Sequence, residues 1–446
     1  MARSKGTALH GAVTRALPRK VIEAAARTAS VSRRRRKLNV VGFFWTLVLG
    51  FGSGRERTLA GLRRAYEVAA GHTLAPSAFY LRFSQPVVRW LRAILGELLA
   101  ETCNQAGPLA GPLASFRDVV ATDSTVIRLH DLLAGAFPAC RTNHTKAALK
   151  LHAVYSVAAA GLRSLKLTAE RAHDGPVFQV GKWVKDRLLL FDLGYFRYQL
   201  MSCITRNGGF FVVRLKKNAD PVIVAVHRCW RGRSVPLVGR RLSEVLSRLQ
   251  REELDVEVEI RFKNRVYGGV RRSATMRLRL VGVRDSQTGT HHLYLTNIPP
   301  ERLSPSEIAQ VYAARWLIEL YFRQLKGQFR AEDMPSGKRH VVEALLLAAL
   351  IAFAISRALM KAIQTRLRSL SHRVSDERWS RLFAEAARYL LPALARPLAR
   401  AARVLLTHVE RMLLKEAVDP NAGRRLLLCR VETRSQFELR YQRVAA

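Results

Sequence analysis

Three acids stand out as residues that could do chemistry: Asp123 in VVATDST, Asp192 in LLLFDLGY, and Glu319 in YAARWLIELYFRQLK, residues 312 to 326. Both aspartates come directly after apolar, strand-like runs. Carboxylates at strand ends point out of a sheet edge, where ligands bind in α/β folds, and two from neighbouring strands can converge on one ion. Aspartate also ends strands simply as a turn residue, so the pair gains meaning only from the third acid. On a helix turning about 100° per residue, Arg315, Glu319 and Lys326 fall within about 60° of Tyr312. Val311, Ala314, Leu317, Ile318, Tyr321 and Leu325 take the remaining arc. One face therefore packs, and a polar file runs along its edge. An ordinary Arg–Glu pair at i, i+4 on a wetted surface produces the same file.

These acids need a scaffold, and the texture of the chain supplies one. From about residue 40 to 105 the pattern is helical, with Gly and Pro as punctuation, forming either a DNA-binding module or a helical cap on the strand-rich region after it. Beyond the spacer AGPLAGPLAS the texture turns to strands: RDVVATD, KLHAVYSVA, GLRSLKLTAE and RLLLFD, with a tight turn near Gly161 and a helix, PVFQVGKWVKD, before the fourth. FRYQLMSCITRNGG reads as a helix closed by glycine, and FFVVRLK as a fifth strand. Antiparallel strands leading to a crossover helix and another strand make an α/β layer. In LDVEVEIRF, Val256, Val258 and Ile260 alternate with Glu257, Glu259 and Arg261, the mark of a β-rich insertion. Helices resume at SPSEIAQVYAARW, where Ser304, Pro305 and Glu307 form a capping box with proline in the first turn.

Charge narrows the partner. Among 446 residues, 75 Lys and Arg face 34 Asp and Glu, a formal charge of +41, and such self-repulsion is offset best by a polyanion. Nucleic acid fits, through counterion release at each neutralised phosphate. A membrane is not expected: the apolar run at 344 to 355 is short of the roughly 20 residues a span needs and reads as a buried helix. The N-terminus lacks the apolar core of a secretory signal, so a cytoplasmic protein is expected. Five scattered cysteines without a CxxC pair fit a reducing compartment and no structural zinc. RRRRK at 33 to 37 is a nuclear signal, a phosphate-binding arm or a solvated charge run; Arg141, His144, Lys146 and Lys150 form a basic track for DNA, or Lys150 and His152 lie on a wet strand face. Trp230 reads as a core residue or a base-stacking one.

The spacing Tyr312-x2-Arg315-x3-Glu319-x6-Lys326 resembles the Y-R-E-K signature of DDE transposases of the insertion-sequence-four type, and the two aspartate boxes match in the same order. Arg323 stands where that family often has Lys. The resemblance spans roughly residues 115 to 335, more weakly back to 40. It implies an α/β, overall α+β, fold: an RNase H-like mixed-sheet core with a β-rich insertion, flanked by helical N- and C-terminal regions. The corresponding division is 1–114, a helical DNA-binding region; 115–216 and 297–372, the two parts of the catalytic core; 217–296, the insertion; and 373–446, a helical C-terminal region. It further implies that Asp123, Asp192 and Glu319 are catalytic and bind two Mg²⁺ ions, with Mn²⁺ able to substitute. Tyr312, Arg315 and Lys326 would hold phosphates of the DNA end, and Arg214 and Lys216 would contact it too. Three carboxylates suit Mg²⁺, a hard ion that takes oxygen ligands and keeps several waters. The partners implied are double-stranded DNA, as terminal inverted repeats and as target, and a second copy of the chain, because pairing two ends needs at least a dimer. Two other readings remain: a two-metal nuclease without strand transfer, and a non-catalytic architectural DNA-binding protein.

Overall fold

The computed structural model describes residues 8–31, 38–140, 145–227, 229–230, 233–264, 272–285, 288–368, 374–396 and 399–419. The basic run at 33 to 37, Arg141, His144 and the side chain of Trp230 lie outside the described residues.

Among the described residues six α-helices come first: α1 (Ala8–Ala16), α2 (Arg19–Thr28), α3 (Val40–Trp45), continued by a π-helical turn (Thr46–Phe51), α4 (Leu59–Ala70), α5 (Pro76–Tyr80) and α6 (Gln85–Asn104). Asn39 and Thr58 cap α3 and α4 by accepting from the amides of Gly42 and Gly61, satisfying donors that a helix start leaves free. Strands β1 (Asp118–Leu129), β2 (Ala147–Ser156) and β3 (Gly161–Ala169) then form an antiparallel meander. The crossover to β4 (Arg187–Phe191) holds only the short helix α7 (Asp174–Val177) and a 3-10 turn, not the single helix expected over PVFQVGKWVKD. Gly181, in a fully extended conformation, interrupts it. Helix α8 (Tyr198–Arg206) leads to β5 (Phe210–Arg214), and Gly208 at φ +71° makes the turn between them. The strand order β3-β2-β1-β4-β5, with β1, β4 and β5 parallel and β2 reversed, is the RNase H-like arrangement.

The insertion contributes β6 (Val222–Val226), a two-residue ladder of β7 (Cys229–Trp230) and β8 (Arg233–Ser234), α9 (Leu242–Leu246), β9 (Glu253–Lys263), β10 (Ser273–Arg284) and β11 (His291–Thr296). It does not stand apart. β11 pairs with β5, so β11, β10, β9 and β6 extend the core into one nine-stranded sheet. Val256, Val258 and Ile260 are buried as their alternation requires. A buried ion pair locks the extension: Arg279 meets Asp255 through two bonds of 2.7 Å and also donates to the carbonyls of Ile298 and Leu303. That guanidinium therefore ties β10 to the segment that begins the next helix.

The last helices are α10 (Pro305–Ala313), α11 (Trp316–Gly327), α12 (Arg339–Arg368), α13 (Asp376–Ala395) and α14 (Arg400–Glu416). The capping box of Ser304 and Glu307 is formed. The single helix expected through Tyr312 to Lys326 is two, parted at Ala314 and Arg315, where the backbone bonds shorten to the i−3 pattern. Helix α12 is long, apolar and mostly buried. It is the axis of a helical layer: α1, α6, α13 and α14 all pack against it. One core joins this layer, α11 and the face of the sheet carrying Val119, Ala121, Leu188 and Leu190. A second core covers the opposite face, with Leu189, Phe191, Phe211 and Val213 beneath α8 and the insertion.

Candidate active site

β1 is long, and only its first half has β4 as a neighbour. Parallel pairing runs from Asp118↔Arg187 to Thr122↔Phe191 and stops. Asp123 is the next residue on β1, and Asp192 is the first residue beyond β4. Asp123 is therefore not at a strand end, as its sequence context suggests: β1 continues to Leu129 on β2 alone. What ends there is the ladder between β1 and β4, and the gap that opens is where two carboxylates can approach. By strand alternation both belong to the face under α11, and Glu319 comes from the first turn of that helix.

The electrostatics are those of crowded acids. The Asp123 carboxyl is pushed up to about 6, chiefly by burial; the Ser124 amide and Arg315 oppose this, and the charges of Asp192 and Glu319 add to it. The amide of Ser124 donates to Asp123 Oδ1 at 2.7 Å. Arg315 bridges the group, with Nη2 2.7 Å from Glu319 Oε1 and Nη1 3.8 Å from Asp123 Oδ2. Burial would lower the pKa of Arg315, but the Tyr312 phenol and the charges of Glu319 and Asp192 outweigh it, and the pKa is raised. Among the described residues no three His, Cys, Asp or Glu side chains stand close enough to share an ion; the guanidinium is the cation that the acids now share. The donor set, three carboxylates with no His or Cys, nonetheless fits a hard dication, and half-buried acids that repel one another are what such an ion relieves.

The remaining residues of the polar file fall differently from one another. Tyr312 is 6% exposed and its hydroxyl donates to the Phe191 carbonyl at 2.9 Å. Expected to face a phosphate, it instead fixes the backbone just before Asp192, because the break at Ala314 leaves Tyr312 on α10, packed against Tyr294. Its phenol is pushed up to about 12, mainly by burial. Lys326 donates to the Val126 carbonyl at 2.5 Å and pairs with Glu332 at 2.8 Å, which pins α11 to the second half of β1. Arg214 is exposed, with its guanidinium 5.8 Å from the centre of the Tyr312 ring. Lys216, also exposed, lies 5.1 Å from the Phe196 ring. Both flank the site from the end of β5.

Sequence reasoning missed the support behind Asp123. His152, expected on a wet strand face, is 7% exposed, with Nδ1 3.1 Å from Asp174 Oδ1 and Nε2 2.8 Å from the Thr168 hydroxyl. Asp174 is held down to about 2, first by its hydrogen bond to His152 and then, against burial, by Ser124 and Lys150. Nothing in AHDGP marks Asp174; only the pairing of Ser124 with His152 across β1 and β2 brings it in. A depressed carboxyl stabilises the fold at any pH above its unfolded value and stops doing so as pH falls through its folded one. Asp174→Asn is expected to lower stability by about 1–2 kcal/mol at pH 7, with the gap to the native chain closing as pH falls from about 4 toward 2. Urea midpoints across that range check it; a gap independent of pH would mean the carboxylate charge does not hold this cluster.

A family model described as "Transposase DDE domain" matches residues 114–355 of the chain. The transposase for insertion sequence element IS1151 of Clostridium perfringens is 21% identical over 335 residues, covering 68% of this chain and 70% of that one. The transposase for insertion sequence element IS231E of Bacillus thuringiensis subsp. finitimus is 21% identical over 398 residues, 80% of each chain. Among solved structures, a piggyBac transposase synaptic complex with hairpin DNA matches with a TM-score of 0.47 and 11% identity, over 91% of this chain and 86% of that one.

Proposed function

Because the chain belongs to the family of transposases with a DDE domain, and so is an enzyme of DNA cleavage and strand transfer, we propose that Asp123, Asp192 and Glu319 are its catalytic acids. The observation that supports this most is the end of the β1–β4 ladder, which leaves Asp123 and Asp192 next to each other on the face that α11 covers. The family depends on divalent metal; we assign it to these three acids, with Mg²⁺ as the ion and Mn²⁺ as a substitute. Two bound ions would activate the attacking oxygen and stabilise the leaving one in an in-line displacement.

The chain's own residues then do three things. Ser124 and the Asp174–His152 pair behind it fix the Asp123 carboxylate on a rigid strand. Tyr312 fixes the backbone before Asp192. Arg315, bound to Glu319 and close to Asp123, would hold the phosphate of a DNA end, which a guanidinium can do bidentately. Lys326, Arg214 and Lys216 contribute further positive charge along the same end. Water would attack first, freeing a 3′-hydroxyl at each terminal inverted repeat, and that hydroxyl would attack target DNA next. No covalent enzyme intermediate is required. The insertion-sequence-four type, the helical regions 1–114 and 373–446 as carriers of repeat recognition, and a dimer pairing two ends complete the reading.

The test is direct. Purified protein is incubated with a mini-transposon bearing the element's own ends, Mg²⁺ and a target plasmid, and the products are mapped. Cuts at the repeat ends and their subsequent joining are expected. Cut ends that never join target DNA would instead support a nuclease.

A further inference from the structure

On the face of the sheet opposite the three acids, between the end of α6, strands β1 to β3 and the crossover before β4, lies a cavity of about 620 Å³, within the range of sites that hold a small molecule or a nucleotide. Its lining is basic and aromatic: Arg117, Arg163, Lys166 and Arg187 share it with Phe178 and Trp183. The Arg163 guanidinium lies 5.1 Å from the Trp183 ring centre. Arg187 is 6% exposed; one of its terminal nitrogens donates to the Trp183 carbonyl, while its buried Nε has no partner. The carboxylate that bears on it, Asp118, is already engaged by the Ser156 hydroxyl at 2.6 Å and the Ala158 amide at 3.0 Å.

Such a group of arginines repels itself. Burial lowers the pKa of Arg187, and the charges of Arg163 and Arg117 lower it further. An anion would relieve both effects. A bare ion would leave the aromatic wall of Trp183 and Phe178 unused, whereas a nucleotide brings a phosphodiester for the guanidiniums and a π-face for the indole. Exposed Lys182 and Lys185 border Trp183, and Arg117 is exposed at the rim, so the positive charge continues beyond the cavity, as a polymer would need.

We propose that this cavity is a second DNA-binding site, taking a nucleotide of a single-stranded segment, with its phosphate on Arg163, Arg187 and Arg117 and its base against Trp183. Thr122 and His152 line the cavity, while Asp123 belongs to the other face, so the cavity backs onto the support of the acids and its occupancy does not depend on their assignment.

Photocrosslinking tests it. A short single-stranded oligothymidylate carrying 5-iodouracil is irradiated with the full chain, and the adduct is mapped by peptide mass spectrometry. The adduct is expected on Trp183, with its yield at subsaturating protein falling roughly tenfold in Arg163→Ala. In Arg277→Ala, which removes an exposed charge from the insertion, the yield should stay unchanged. Should Arg163→Ala fail to fold, Lys166→Ala at the exposed rim should show the same direction of loss. Adducts mapping only elsewhere, or a yield indifferent to both variants, would overturn the site. Complete competition by inorganic phosphate, or equal competition by an abasic oligomer, would overturn the nucleotide as its ligand.

Discussion

Asp123→Asn is expected to abolish cleavage of the transposon ends while leaving their binding intact. The substitution keeps the shape of the side chain and removes one of three negative charges, so the Lys and Arg that make a +41 chain bind DNA are untouched. The loss in cleavage rate should reach on the order of 10³-fold or more, since metal-assisted stabilisation of the displacement is worth several kcal/mol. Stability gives an independent check. The folded Asp123 carboxyl titrates near 6, above the usual range, so its ionised form costs stability, a cost that appears as pH rises through the interval between about 4 and 6 and persists at pH 7. Without metal, the Asn variant should therefore melt at or above the native temperature. Loss of cleavage together with a lower melting temperature would point to a structural role instead. Full cleavage activity in Asp123→Asn would remove Asp123 from the catalytic acids.

Arg315→Ala should separate positioning from affinity. Its guanidinium pairs with both Glu319 and Asp123, and its side chain is only 18% exposed, so it acts where solvent screens little. Removing it is expected to reduce cleavage about 10²-fold and bulk DNA affinity by less than about threefold, because one phosphate contact among many carries a small share of the salt-dependent term. Arg315→Lys should restore little of the rate, as an ammonium cannot hold a phosphate through two parallel bonds. Single-turnover cleavage and salt-dependent binding on the same DNA ends separate the two quantities. Cleavage equal to that of the native chain would rule out the phosphate clamp.

Much of this architecture was encoded locally. The alternation in LDVEVEIRF, the capping box at Ser304 and the apolar run at 344 to 355 each state a periodicity or a cap that tertiary context had no reason to override. Spacing along a helix likewise put Arg315 and Glu319 one turn apart, and the ion pair forms as i, i+4 geometry requires.

What sequence alone cannot carry is register and packing between distant segments. Whether Asp123 meets Asp192 depends on where the β1–β4 ladder stops, and that is set by pairing across more than sixty residues of chain. The break at Ala314 and Arg315, which buries Tyr312 against the Phe191 carbonyl, arises because α10 must track the extended sheet while α11 lies over β1 and β2. The burial of His152 and the depression of Asp174 likewise result from which face of β2 the crossover covers. Sequence thus determined which residues were capable of the chemistry and which helix carried Glu319. The tertiary structure decided which of them meet, because a carboxylate's pKa and its partners depend on neighbours that only the folded sheet supplies.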